Sequence, residues 1–442
     1  MKLKLVPESE KRINTLCWII RIIVGSVLIF SGFVKCVDPW GAMYKFSEYF
    51  AVWGLDLSRE IILISASSLS IFEFSLGAMI LLGCFRRVTV WLFAAFMAVM
   101  TALTVYIYVA DPVSDCGCFG DALKLTNGET LLKNIVLCLL AACLVLINHR
   151  VRGLIGTKVQ WFAITATVLY CASISFVGYH RQPLIEFRTY GTGEVISQTQ
   201  TEPVDTDGMK FVYEKNGERR EFDAENIPDD SWTFVERIEP ENPINSADLV
   251  INDVDGDDVT AEVISDKGKT LLMIVSAPER IGLSRSHMAA KLAEAMEKGG
   301  GQFATVIASD YPGGIEAWQN KLQAEDYDIY EAEDTDLEML VRGDMALVYI
   351  EDGVVRWKYN VYYFGPEFGD DILKNPELLD TIKPIEESGT LKQYTLLYIL
   401  ALILSIACAP AVALIKKKCK TRKSDTDKTP DKSTDAIAEK VD

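Results

Sequence analysis

Two cysteines stand one residue apart in the stretch DCGCFGD, residues 115–121. Thiols at this spacing can close a disulfide, exchange disulfides or help hold a metal. A disulfide prefers Cα atoms roughly 4.4–6.8 Å apart and a torsion near ±90°. Cys116 and Cys118 meet this only on a bent backbone, and Gly117 permits the bend because it has no Cβ. So small a ring is strained, and strained disulfides tend to be the labile or catalytic ones. The spacing therefore suits redox work better than stapling. A passive disulfide closing a tight loop remains open as an alternative. So does a metal site, although zinc sites usually offer four ligands and no histidine lies nearby in sequence. Asp115 and Asp121, if close to the sulfurs, would raise the thiol pKa and oppose thiolate formation. They could instead bind a proton or cap the next helix.

Two further residues extend this chemistry. Cys36 is a candidate resolving thiol for a mixed disulfide, with a plain apolar cysteine as its alternative. Glu73 lies within IFEFSLGAMILLG, where a carboxylate is costly and usually faces a bundle interior. It would be paired with an arginine or lysine, kept protonated, or hydrogen-bonded to a neighbouring helix. Arg21 would snorkel or pair. Cys17, Cys84, Cys138, Cys143, Cys171 and Cys408 read as packing residues, and Cys419 as a thiol in a reducing cytosol.

The elements that position these groups are apolar. Runs of roughly 20 apolar residues are read as membrane helices. Six stand out: Leu16–Val34, Ile61–Cys84, Val88–Ala110, Thr130–Ile147, Gln160–Gly178 and Tyr394–Ile415. The first could be a signal peptide, but it is long and lacks an A-x-A-like site, so it reads as a retained helix. Basic residues favour the cytoplasmic side. Lys2, Lys4, Lys11 and Arg12, then Arg86 and Arg87, then His149, Arg150, Arg152 and Lys158, then the tail KKKCKTRK all fall on one side of a six-helix path. Both termini are thus expected inside a bacterial inner membrane. Residues 35–60, 111–129 and 179–391 are expected in the oxidising periplasm. DPWGAMYKFSEYFAVWG (Asp38–Gly54) is too short to span and reads as an interfacial helix, an anchor or a lid over the cysteine loop.

The stretches LIFSGFVKCVDPWG, EFSLGAMILLG and DCGCFGDALKLTNGETLLKNIVL resemble the DoxX-like and MauE-like membrane proteins over roughly the first third of the chain. That resemblance implies a four-helix membrane bundle. It also implies, through MauE-like members, maturation of disulfide-rich periplasmic proteins and, through DoxX-like ones, sulfur compounds and quinone-coupled oxidation. Cys116 and Cys118 are the cysteines it carries over. The sequence itself bears no quinone signature, so a quinone cofactor enters only through this resemblance.

The net charge of −18 argues against a nucleic-acid partner and is concentrated in residues 179–391, which contain none of the ten cysteines. FVYEKNGERREF places Asn216–Gly217 between two strand-like runs, a hairpin signal. NDVDGDDVTAEV puts Asp253, Asp255, Gly256 and Glu262 at calcium-loop positions if Ile251 is the first. Ile251 offers no side-chain oxygen and no amphipathic helix enters, which leaves a polar β-turn as the alternative. From Lys269 the order reads strand, helix, strand, helix, short strand, short helix and two final strands turning at Gly353. VRGDMALVYIEDG is similar to the thioredoxin segment before its last hairpin, and the resemblance covers roughly Asp248–Tyr363. The chain departs from that family where it matters: SAPERIG (Ser276–Gly282) stands in place of C-x-x-C, and Met345 in place of the proline. His287 reads as a surface residue, and the tail from Thr421 as disordered.

The expected architecture is a membrane α-helical bundle, a four-helix DoxX/MauE-like core plus additional spans, bearing a periplasmic α/β thioredoxin-like domain. Its segments are 1–150, a fifth span 151–178, a β-rich piece 179–247, the thioredoxin-like domain 248–391, a sixth span 392–415 and a cytoplasmic tail 416–442. Two functions compete. In one, Cys116 and Cys118 relay electrons between a periplasmic thiol or client protein and a membrane carrier. In the other, the chain is a non-enzymatic scaffold or maturation factor whose sheet domain binds partners.

Overall fold

The computed structural model describes residues 8–113, 115–148, 153–196, 210–215, 218–223, 233–238, 249–322 and 328–407. The chain divides into two units, Met1–Gly178 with Gly389–Asp442, and Tyr179–Ser388.

The first unit is helical, as its apolar runs require. Its helices are α1 (Glu8–Val37), α2 (Pro39–Val52), α3 (Arg59–Leu82), α4 (Arg86–Ala110), α5 (Asn127–Ile147) and α6 (Gln160–His180). A last helix covers Thr390–Ala407. All but α2 are long and apolar enough to cross a membrane. Large apolar side chains such as Ile64, Trp91, Val99, Leu132 and Leu146 are exposed along them, a surface made for lipid. The inward faces of α1, α3, α4 and α5 form one core through Val24, Leu28, Leu76, Phe93, Met97, Ala141 and Leu144.

Small residues set the closest approach, as is usual between helices in lipid. A Cβ on Gly32 of α1 would come within 2.8 Å of the Phe74 Cα in α3, and one on Gly77 within 2.8 Å of the Ile29 nitrogen. Arg21 does not reach the surface. It is buried, with Nε 2.8 Å and Nη2 2.5 Å from Asn148 Oδ1, and the Asn148 amide donates in turn to the Arg86 carbonyl at 2.9 Å. The last helix packs on α6 through stacked Tyr170 and Tyr398, centroids 4.6 Å apart.

In α2, Asp38 is the N-cap, accepting from the Gly41 N–H at 2.9 Å, and Pro39 opens the first turn. The start of α5 is fixed by a capping box between Thr126 and Glu129, so the helix is capped by these residues and not by Asp121.

The second unit holds two sheets. The first comprises β1 (Lys210–Lys215), β2 (Glu218–Asp223) and β3 (Thr233–Ile238), in the order β2-β1-β3. The β1–β2 pair is antiparallel with Lys215 opposite Glu218; the expected turn at Asn216–Gly217 lies outside the described residues. The second sheet comprises β4 (Lys269–Val275), β5 (Gln302–Ala308), β6 (Ile329–Ala332), β7 (Met345–Glu351) and β8 (Val354–Asn360), in the order β6-β5-β4-β7-β8. The β4–β5 and β5–β6 pairs are parallel, and the β4–β7 and β7–β8 pairs antiparallel. Helices Leu283–Lys298, Gly314–Leu322 and Asp334–Leu340 make the crossovers. β4 and β5 are buried beyond their first residue, as strands covered on both faces must be. The strand and helix order from Lys269 is the one read from sequence.

In the Asn252–Val263 stretch, residues 253–257 form a polar turn and Thr260–Val263 a single helical turn. The Asp253 carboxylate accepts from the Asp255 and Asp257 N–H groups at 2.9 and 3.0 Å, and Gly256 takes φ 85°. His149, Arg150, Arg152, Cys408, Cys419, the end of the sixth run and the 416–442 tail lie outside the described residues.

Candidate functional site

The chain between α4 and α5 folds into a tight loop that brings Cys116 and Cys118 together with their sulfurs 3.1 Å apart. The bend sits where expected: Gly117 has φ 63°, in the left-handed region open to glycine. Its N–H donates to Asp115 Oδ1 at 2.8 Å, and the Gly120 N–H donates to the Gly117 carbonyl at 3.2 Å. Neighbouring helices hold the two ends. The Tyr49 hydroxyl of α2 donates to the Cys116 carbonyl at 3.0 Å, and the Ser31 hydroxyl of α1 donates to that of Cys118 at 2.7 Å. α2 thus fastens the cysteine loop as well as lying beside it. Cys116 is buried; Cys118 is half-buried and lines a shallow depression with Asp115, Gly117, Phe119, Leu123 and Lys124.

The electrostatics separate the two sulfurs. With Cys118 as the thiolate, the Cys116 thiol donates to it; this bond, with Lys133 and Lys35 nearby, lowers the Cys118 pKa to about 6 against the opposing effects of burial and of the Glu73 charge. The role of donor, together with burial, pushes Cys116 up. This reverses the expectation that the flanking aspartates would suppress a thiolate. The Asp115 carboxylate is engaged by the Gly117 N–H and by Lys45 Nζ at 3.4 Å. Cations therefore dominate around Cys118. Lys133 also stands over the Phe119 ring, 4.5 Å from its centroid.

Beneath the loop, Glu73 of α3 forms an ion pair with Lys35 of α1, both buried. The Ser31 hydroxyl is 3.1 Å from Glu73 Oε2 and 2.7 Å from the Cys118 carbonyl oxygen. One hydroxyl proton cannot serve both acceptors fully. The Glu73 carboxylate and the Cys118 carbonyl therefore compete for it. Ser31 and Lys35 share a face of α1 at i and i+4, and the close approach at Gly32 puts them against Glu73.

Of the four residues singled out from sequence, Cys116, Cys118 and Glu73 belong to this one assembly. Cys36, next to Lys35, faces Cys171 of α6. Sequence reading missed Ser31, Lys35, Tyr49 and Lys133. The available signal for the first two was the i, i+4 spacing of polar residues on an otherwise apolar helix. His287 is exposed. Among the described residues, no group of three His, Cys, Asp or Glu side chains could hold a metal ion.

The bundle and the loop define a multi-pass membrane protein with a vicinal thiol pair set at one end of its helices. Residues 13–147 match the family model of methylamine utilisation protein MauE. Residues 208–240, which include the three-stranded sheet, match a domain of unknown function, DUF8463. No curated protein and no solved structure matches the chain.

Proposed function

We propose that this chain relays electron pairs between thiols of a periplasmic client protein and a two-electron carrier in the bacterial inner membrane, through Cys116 and Cys118. The observation that carries this reading is the 3.1 Å approach of two sulfurs of unequal acidity, the more acidic of them facing a depression. In the oxidising direction, a client thiolate attacks Cys118 of the loop disulfide, and Cys116 departs and takes up a proton. The client's second thiol then displaces Cys118, so the client gains a disulfide and the loop becomes a dithiol. The carrier takes two electrons and two protons and the Cys116–Cys118 bond re-forms. The resemblance named above points to a quinone as the class of carrier, and no residue is assigned to hold it. A stabilised Cys118 thiolate favours the reduced loop, which makes the loop disulfide a better oxidant.

The basic inner segments support a periplasmic loop and sheet domain. The β6-β5-β4-β7-β8 order, parallel on one side of β4 and antiparallel on the other, supports the thioredoxin-like reading. The segment after β4 carries no cysteine, so this domain would present polypeptide and leave the exchange to the loop.

The MauE match also supports a second reading, a maturation scaffold of the methylamine-utilisation type in which the loop disulfide is a staple. Thiol trapping in intact cells separates the two, with free thiols blocked first and oxidised ones tagged after reduction. A relay gives a mixed population that shifts with added reductant or quinone, and Cys116→Ser/Cys118→Ser leaves client thiols unpaired. A pair locked in one state whatever is added would sink the relay.

A further inference from the structure

The second sulfur pair in this unit connects two spans. Cys36 lies one residue from the end of α1, and Cys171 lies in α6, beyond the matched stretch of residues 13–147. Both are fully buried, and their thiols face each other. Gly178 brings the two elements together: a Cβ there would meet Pro39 Cδ at 3.1 Å, with the Val37 carbonyl nearer still. Ser175, one turn beyond Cys171, also faces Cys36. Its buried hydroxyl has no hydrogen-bond partner among the described residues, so it can donate to a thiolate. Other cysteines in the bundle meet different groups. Cys17 points to Asn148 at 3.8 Å, and Cys138 lies 3.1 Å from the Thr101 hydroxyl. Lys35 precedes Cys36 in α1, and its charge acts on Cys36 as well as on Cys116 and Cys118.

We infer that Cys36 and Cys171 are a second redox dithiol, joining the first span to the fifth and exchanging its electrons with the Cys116–Cys118 loop. This rests on the relay reading, because the loop disulfide is the oxidant. Cys36 attacks Cys118 in the loop disulfide, and Cys116 leaves and takes the proton that Cys36 gave up. Cys171 then displaces Cys118 from the mixed disulfide and its proton passes to Cys118. The Cys36–Cys171 bond forms, the Cys116–Cys118 bond breaks, and two electrons and two protons pass to the loop. Cys36 has a place to turn from, since the helical path breaks at Asp38 between α1 and α2. Lys35 steadies whichever sulfur is a thiolate during transfer.

The test equilibrates membranes containing the full-length protein with glutathione buffers of graded ratio. Each sample is then acid-quenched and denatured, alkylated, and every cysteine-bearing peptide quantified by mass spectrometry. The expected result is a Cys36–Cys171 linked peptide that grows as the buffer becomes more oxidising, while Cys84 stays alkylated throughout. When samples are instead quenched at early times, before equilibrium, that peptide should form about tenfold more slowly in Cys116→Ser/Cys118→Ser, because the loop disulfide is its oxidant. In Cys171→Ala, a Cys36–Cys118 linked peptide should accumulate instead. Full alkylation of Cys36 and Cys171 at every ratio, with the loop still cycling, would overturn the inference and leave the relay standing. An unchanged rate of Cys36–Cys171 formation in the double serine variant would overturn the exchange. A loop that never changes state would remove the relay itself.

Discussion

Two lysines are buried against glutamates in this molecule, and they are buried differently. In the sheet unit, Lys358 Nζ lies 2.8 Å from Glu186 Oε2, 2.8 Å from the Tyr190 carbonyl and 2.9 Å from the Leu340 carbonyl. Arg188 clasps the same carboxylate at 2.6 and 2.8 Å. An ammonium has three donors, and here each has an acceptor. Burial pushes Lys358 down to about 8, while its two cationic neighbours hold Glu186 down to about 2. In the membrane unit, Lys35 shares its carboxylate with a serine whose proton has two claimants, and its charge also acts on two sulfurs. The first arrangement is closed and holds structure. The second is open and can follow a change of charge at a thiol. Burial is common to both; the spare hydrogen-bonding capacity beside a reactive atom is what distinguishes a site.

The largest effect expected is at the closed arrangement. Lys358→Met leaves Glu186 buried with Arg188 as its cation and two carbonyls without their donor. Loss of one member of such a pair costs about 3–5 kcal/mol. Denaturant unfolding of the full-length protein in detergent should show the sheet unit weakened by that amount, with Cys118 alkylation unchanged. A neutral result would mean that the closure of the Lys358 arrangement is not what stabilises it.

Within the loop, the contrast is between Cys116 and Cys118. Cys118 alkylation in the reduced protein should follow a thiolate with midpoint near pH 6. Its folded pKa lies below the ordinary thiol value of about 8.5. The thiolate therefore stabilises the reduced fold fully above about pH 8.5, and that contribution fades as pH falls through 6. Cys116→Ala removes the donor that contributes most, so the midpoint should rise toward the ordinary value. Stopped-flow alkylation from pH 5 to 9 reads this directly. An unmoved midpoint would assign Cys118 acidity to the lysines alone.

Much of this was legible in sequence, and the gaps have physical reasons. Helices declared themselves by apolar runs of membrane length, the sheet by its strand order, and the loop by Gly117 between two thiols. Glu73 was visible because a carboxylate at that depth needs a partner. Its partner was not, since Lys35 stands at the end of an apolar run where a lysine ordinarily reaches for the interface. In the fold Lys35 is buried against Glu73, where α1 and α3 approach closely at Gly32. Lys133 was hidden in the same way, by the register of α5. The aspartates misled because their number was readable and the Lys45 and Gly117 contacts of Asp115 were not. Cys171 gave no signal at all, as a lone cysteine in an apolar helix looks like packing until the facing helix is known.

The smallest effect, and the one that bears most on the open arrangement, is expected from Lys35→Met. Taken alone, the change leaves Glu73 buried without its cation, so a loss of stability by itself says little. Lys35→Met/Glu73→Gln removes both charges and leaves a neutral pair of similar shape, which often restores stability. The fold should then recover while part of the loss at Cys118 persists, since Lys35 lowers the Cys118 pKa more than Glu73 raises it. Its alkylation at pH 6 should run slower by up to about tenfold, the factor carried by one pKa unit. If Lys35→Met alone leaves Cys118 reactivity unchanged and the double variant only restores stability, Lys35 is a structural ion-pair partner like Lys358, and the distinction between the two lysines fails. If stability returns and reactivity does not, the ion pair acts on the sulfur through its charge, which a purely structural lysine would not do.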